Sequence, residues 1–158
     1  MKEHERIFEK LKNLITKHFP DRVVENANGM HLAIKGTGLW ISFDPKELIV
    51  GYEMTHIHFN PEYDDLNESL ELFFNLLTCK KKISKYYKGK FSYKHRVDLI
   101  LGDNEIYNLG TAMTWLYPYW KKARCKVEIQ DEIIELELIE NEINEIKNYA
   151  QQLNNKTL

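Results

Sequence analysis

His56-x-His58 is the one pair of residues in this chain whose type and spacing point directly at chemistry. The pair lies in Leu-Ile-Val-Gly-Tyr-Glu-Met-Thr-His-Ile-His-Phe, residues 48–59, which reads as one extended strand. Alternate residues of a strand project to the same face, so both imidazoles share one side of the sheet. Imidazole nitrogens suit Zn²⁺, Fe²⁺ or Mn²⁺, and Glu62 supplies a carboxylate four residues on. His56, His58 and Glu62 are therefore candidate ligands for one divalent transition metal, with His31 or His95 completing the set from neighbouring strands. The plainer reading, which the sequence favours, needs no cofactor. One imidazole faces water and the other is a satisfied hydrogen-bonding residue at a strand end.

With Gly51 ahead of it, this stretch resembles the first half of the cupin metal motif, which uses a Gly, a His-x-His and a following Glu before a second Gly. The resemblance implies a metal on His56, His58 and Glu62. The second Gly is absent here, a helix follows in place of the next strand, and no downstream His segment matches. A histidine-triad motif would need a third alternating His, and Asn60 stands there.

Two further stretches carry binding chemistry. From Lys80 to Arg96 there are eight Lys or Arg and no acidic residue, with Tyr86, Tyr87, Phe91 and Tyr93 interleaved. Such strands hold single-stranded nucleic acid by phosphate contact and base stacking. Val127 to Ile146 carries eight acidic residues and no basic one, and the favoured expectation is that the two runs neutralise each other within the fold or across a dimer. The second stretch is Trp115-Leu-Tyr117-Pro118-Tyr119-Trp120, followed by Lys121-Lys122-Ala-Arg124. Strand alternation cannot bury all four aromatics, and aromatics with Arg are enriched at binding hot spots; the equal alternative is a bulky plug over the open end of the sheet. Trp115, Tyr117, Tyr119 and Trp120, with an acidic face at Glu135, Glu137 and Glu142, are the candidate partner-binding residues.

Enzyme signatures are missing from the sequence: no P-loop, no Gly-x-Ser-x-Gly and no kinase set. Gly36-Thr-Gly38 continues as Leu-Trp-Ile and fails the dinucleotide pattern, and His4-Glu5 begins like a zincin motif but meets Phe8 where the second His belongs. A net charge of −2 gives no global pull toward nucleic acid or an anionic membrane. The N-terminal residues form an amphipathic segment rather than a signal peptide, and no apolar run approaches a bilayer span. Cys79 and Cys125 match no metal or redox spacing. The expected location is the cytoplasm, without membrane contact.

The elements that must position these groups follow from periodicity. Ile7, Phe8, Leu11, Leu14 and Ile15 recur at helical spacing, predicting a helix over about 2–19 that Pro20 stops. Four strands follow, the last being 48–59, separated by turns at Asn26–Gly29, Gly36–Gly38 and Asp44–Glu47. Asp65-x-x-Glu68 opens a central helix over about 64–79. Strands over 83–88, 91–101, 105–115 and 122–130 come next, with a turn at Gly102-Asp103-Asn104 and a bulge at Gly110. Leu136, Ile139, Ile143, Ile146, Ala150 and Leu153 stripe a closing helix over about 132–153, which allows either a homodimer or packing back on the sheet, and 154–158 form a frayed tail. The reading is a single α+β domain with antiparallel sheet in the order α-β4-α-β4-α.

Its size, this order and the stretch from Trp40-Ile-Ser-Phe-Asp-Pro45 through Val50-Gly51-Tyr52 to His56-Ile-His-Phe59 resemble small bacterial immunity proteins that neutralise toxins. The resemblance implies a cytosolic, non-enzymatic inhibitor that occludes a toxin with a charged, aromatic-bearing face. The alternatives are a metal-dependent protein using the histidine pair and a single-strand nucleic-acid binder using Lys80 to Arg96.

Overall fold

The structure, a computed structural model, describes residues 1–26, 28–102 and 105–154, the last by its backbone alone. It is a mixed helix-and-strand fold with two antiparallel sheets. Helix α1 spans Glu3–His18 and α2 spans Leu66–Thr78. Between them run β1 (Val23–Glu25), β2 (His31–Ile34), β3 (Leu39–Phe43), β4 (Leu48–Tyr52) and β5 (Thr55–Phe59), a five-stranded meander in sequence order. The second sheet comprises β6 (Lys80–Lys88), β7 (Phe91–Leu101), β8 (Glu105–Met113) and β9 (Ala123–Gln130), in the order β8-β7-β6-β9. The last strand returns beside the first, which is Greek-key connectivity. A 3₁₀ turn at Leu136–Leu138 leads into α3, Glu140–Asn154.

The first half therefore holds five strands rather than four. Residues 48–59 are not one strand but a hairpin, with Tyr52 paired to Thr55 across a two-residue turn. The turn is invisible to periodicity because Glu53 and Met54 are not breakers, yet Glu53 adopts a positive φ of 51°, the first-position geometry at which such turns usually take glycine. The closing helix begins later than expected. The backbone N–H groups of Ile133 and Ile134 bond the Leu77 carbonyl at the end of α2, 2.9 and 3.3 Å away, so this segment docks on α2 before it can coil. The bulge falls at Leu109, beside Gly110, where Val97 pairs with Gly110 and Asp98 with Asn108. The expected turns at 26–29 and 102–104, and the tail, lie partly or wholly outside the described residues.

One cluster of buried side chains joins all three helices to both sheets. Leu32, Ile41 and Val50 share one row of the first sheet and face α1 and α2. Helix α3 buries Ile143, Ile146, Ala150 and Leu153 and packs on α1 and α2, with Ile139 buried just before it, so that part of the stripe is consumed within the chain. Asp65 caps α2 by accepting the Asn67 N–H. Among the described residues, no helix is long and apolar enough to cross a membrane.

Candidate binding surface

The outer face of the first sheet carries the histidines. His31, Ser42, Ile49 and His58 form one cross-strand row, and Ala33, Trp40, Gly51 and His56 the next. His56 and His58 do share a face, with ring centroids 5.0 Å apart. His31 lies three strands from His58, about 14 Å at the usual interstrand spacing. The Trp40 indole lies between His31 and His56, its ring centroid 5.5 and 5.6 Å from theirs. Trp40 lies flat across β4 because Gly51 has no side chain there; a Cβ on Gly51 would sit 2.2 Å from the indole. His58 Nδ1 contacts Glu47 Oε1 at 2.7 Å, while Glu62 lines a different hollow with Lys46 and Tyr63. His95 belongs to the second sheet. Among the described residues no three His, Cys, Asp or Glu side chains converge on a common metal position. The structure thus brings His56 and His58 together and leaves Glu62, His31 and His95 apart from them.

His95 instead belongs to a polar junction between the sheets. It is buried, and its Nε2 lies 2.9 Å from Glu53 Oε2 in a contact poorly aligned for a hydrogen bond. Burial holds its imidazole pKa below the usual value despite the attraction of Glu53. Lys85 Nζ reaches the same carboxylate at 3.5 Å, and Gln130 Nε2 donates to Glu53 Oε1 at 3.4 Å. The Tyr52 hydroxyl donates to Gln130 Oε1 at 2.5 Å. Burial pushes the Tyr52 pKa up to about 12. Lys81 is fully buried beneath it, with Nζ 5.4 Å from the Tyr52 ring centroid and donating to the Leu76 carbonyl at 3.0 Å. The sequence offers His95 only as a further metal ligand; the structure buries it instead beside Val97 and Leu99 and adds Lys81 and Glu53, which no motif singles out. The signal for Lys81 is strand parity, since it shares a face with buried Ile83 while Lys80 and Lys82 do not.

Beyond this junction the second sheet projects as an arm. Its root lies at Ser84 and its tip at the Gly89 turn. The arm residues 84–96 contribute Lys85, Lys88, Lys90, Lys94 and Arg96, residues 111–127 contribute Lys121, Lys122, Arg124 and Lys126, and neither span contains Asp or Glu. The expected internal neutralisation therefore stops at the root. Lys80 pairs with Asp131, Lys85 with Glu53 and Arg96 with Asp98, but Glu128 already lies opposite Ile83 in register, and no acidic residue follows outward on β9 or β6. The outer half of this sheet is therefore basic without acidic partners on β6 or β9, while the acids begin at Glu128, toward the inner end.

The aromatic segment closes the tip. Trp115, Tyr119 and Trp120 are 87%, 75% and 73% exposed, and Leu116 is 85% exposed. Tyr119 and Trp120 meet edge to face at 5.1 Å. Tyr117 is half-buried and packs on Tyr93, centroids 4.6 Å apart, and Tyr93 continues to Tyr86 at 6.5 Å under the Lys94 ammonium. The segment is fastened rather than loose. Thr114 N–H bonds the Tyr93 carbonyl at 2.9 Å, Lys88 Nζ reaches the Tyr119 carbonyl at 3.4 Å, and Arg124 donates to the Gly89 carbonyl at 2.7 Å. The three acidic candidates are elsewhere. Glu135 and Glu137 are exposed around a hollow with Lys80 and Gly102, at the opposite end of β6, about 26 Å away along nine residues of strand. Glu142 is held between α1 and α3 by Lys17 and, at 2.9 Å, His18, and Lys17 first and His18 second keep its carboxyl below the usual range. Aromatic and acidic candidates therefore do not form one face within a single chain. No family model matches this sequence, and no curated protein and no solved structure is similar to it.

Proposed function

We propose that this chain is a non-enzymatic protein-binding module, acting as an immunity-type inhibitor that covers an acidic surface of a toxin with the tip of its second sheet. The observation that supports this reading is the set Trp115, Leu116, Tyr119 and Trp120, largely exposed on a segment tied to the sheet by the Thr114 N–H bond to the Tyr93 carbonyl and by the Lys88 ammonium on the Tyr119 carbonyl. Apolar side chains so presented mark interaction sites, and their fixed geometry lowers the entropy cost of binding. The cations nearest the tip, Lys88, Lys90, Lys121, Lys122 and Arg124, have no acidic residue beside them on β6 or β9 and steer toward an acidic protein.

A second reading, single-stranded nucleic-acid binding, draws on the Tyr86–Tyr93–Tyr117 row beneath Lys94. The exposed aliphatic Leu116, set among the tip aromatics, favours protein, because base stacking uses planar rings. The test is binding to the partner captured by crosslinking, measured for wild type and for Trp115→Ala and Trp120→Ala. Each substitution is expected to weaken binding about 30-fold, as at hot spots. Unchanged affinity would place the site elsewhere. Oligonucleotide affinity falling steeply with salt would put the second reading first.

A further inference from the structure

The strand β9 is an open edge with a self-complementary sequence. It terminates the second sheet, and its residues Ala123–Ile129 are all exposed. Edge strands of this length normally carry a bulge, a proline, a cover or charge of one sign that prevents pairing, whereas the charges of β9 are of both signs. Residues 123–130, Ala-Arg-Cys-Lys-Val-Glu-Ile-Gln, contain no proline, and the β6–β9 register runs without a break.

Side-chain parity splits β9 into two rows. Cys125, Val127 and Ile129 lie on the outer face with Tyr86, Ser84 and Lys82, and the intervening Arg124, Lys126, Glu128 and Gln130 lie on the inner face. Reading along β9, the charged row runs from basic to acidic. An antiparallel copy reads the opposite way, so the row is complementary to itself.

We propose that a second copy of this chain pairs with β9 through β9, antiparallel about a two-fold axis at Val127, to give a continuous eight-stranded sheet. In this register Lys126 lies opposite Glu128 of the second copy, and Glu128 opposite its Lys126. Lys122 and Glu132 are brought opposite in the same way just beyond the strand ends. Val127 meets Val127, and Cys125 meets Ile129, so the outer row is apolar throughout. Shifting the centre to Lys126 or to Glu128 sets like charges against each other, which disfavours both neighbouring registers. The basic outer half of β9 in one copy thus lies beside the acidic inner end of β9 in the other. This pairing is independent of what the aromatic tip binds. It leaves Trp115 and Trp120 free and places the two tips at opposite ends of the joined edge.

The test is sedimentation equilibrium of the full chain over a wide concentration range. The expected result is twice the 18.9 kDa chain mass. Lys126→Glu and Glu128→Lys each replace two attractive pairs by repulsive ones, and each is expected to raise the dissociation constant about tenfold. The double variant Lys126→Glu, Glu128→Lys restores both pairs and is expected to recover wild-type association. Both side chains are exposed, so the variants test pairing rather than folding. In a Cys125→Ser background, Val127→Cys is expected to crosslink to itself on oxidation, whereas Thr111→Cys, exposed on the opposite edge strand, is not. A monomer at every concentration, indifference to charge reversal, failure of the double variant to recover, or equal crosslinking at both positions would overturn the pairing.

Discussion

Replacing Lys81 by Met should make this protein more stable. The Lys81 ammonium is fully buried on the inner face of β6, against the Tyr52 ring and the end of α2, and burial lowers its pKa from 10.5 to about 8. At 1.36 kcal/mol per unit, holding the charged form inside the fold costs about 3 kcal/mol at neutral pH. Methionine has nearly the same length and no charge. It forfeits the bond to the Leu76 carbonyl, which caps a helix with no basic residue in its last turn, and that loss costs about 1–2 kcal/mol. The net expectation is a gain of about 1–2 kcal/mol, read from urea unfolding at pH 7. The pH dependence gives a second, sharper readout. Between the two pKa values the unfolded chain binds more protons than the native one, so wild-type stability climbs with pH. Between about pH 7.5 and about pH 9.5 the climb is about 2 kcal/mol. Above about pH 10 Tyr52 acts in the opposite sense, because the unfolded chain loses that proton first. Lys81→Met should abolish the climb in the lower window. A variant less stable than wild type by about 1 kcal/mol or more, or one that keeps the climb, would refute the reasoning.

Two other perturbations test the sheet faces. Gly51→Ala drives a Cβ into the Trp40 indole and should cost about 2 kcal/mol. In a double-mutant cycle with Trp40→Ala most of that cost should vanish, and strict additivity would show that the indole is not what Gly51 accommodates. His95 is neutral in the fold at pH values where the unfolded chain has begun to protonate it, so stability should fall as pH drops below about 6.5 and level off below the native pKa. An NMR titration midpoint for His95 at or above 6.5 would mean that the Glu53 carboxylate outweighs burial.

Periodicity was a good guide wherever side chains alternate between core and solvent. The expected strand over 91–101 coincides with β7, whereas His95, read from the sequence as a possible metal ligand, is buried at the junction. The α2 cap was legible from Asp65 because its carboxylate bonds locally. What failed to show was anything set by contact at a distance. The break at Glu53 has no local cause in Tyr-Glu-Met-Thr. It is paid for by partners far along the chain: the Gly38 carbonyl takes the Glu53 N–H at 2.8 Å, and the Trp40 indole donates to the Glu53 carbonyl at 3.1 Å. The start of α3 was misplaced for the same reason, since Ile133 and Ile134 satisfy helical periodicity but dock on Leu77. For the surface, the aromatic cluster was readable as partly exposed. The separation of Trp115 from Glu135 and Glu137 was not, because it depends on β9 running back along β6.

The polar junction explains how an arm with few apolar contacts keeps a fixed direction. The tip of the β4–β5 hairpin is where the first sheet meets the second, and Glu53 there receives Lys85 from β6, His95 from β7 and Gln130 from β9. Apolar packing at that point would tolerate sliding, because dispersion is non-directional. A carboxylate approached from three strands is satisfied at one relative placement of the two sheets, and the positive φ of Glu53 aims it there at a cost of about 1–3 kcal/mol. Thr55, two residues on, sits against Gly110 of β8, with 3.5 Å between its Cβ and the position a Cβ on Gly110 would take, so the fourth strand is registered by close approach rather than by charge. All four strands of the arm are thus indexed to one hairpin turn. The exposed aromatics at the far end inherit that fixed direction through rigid strand pairing, which is the property a preorganised binding surface requires.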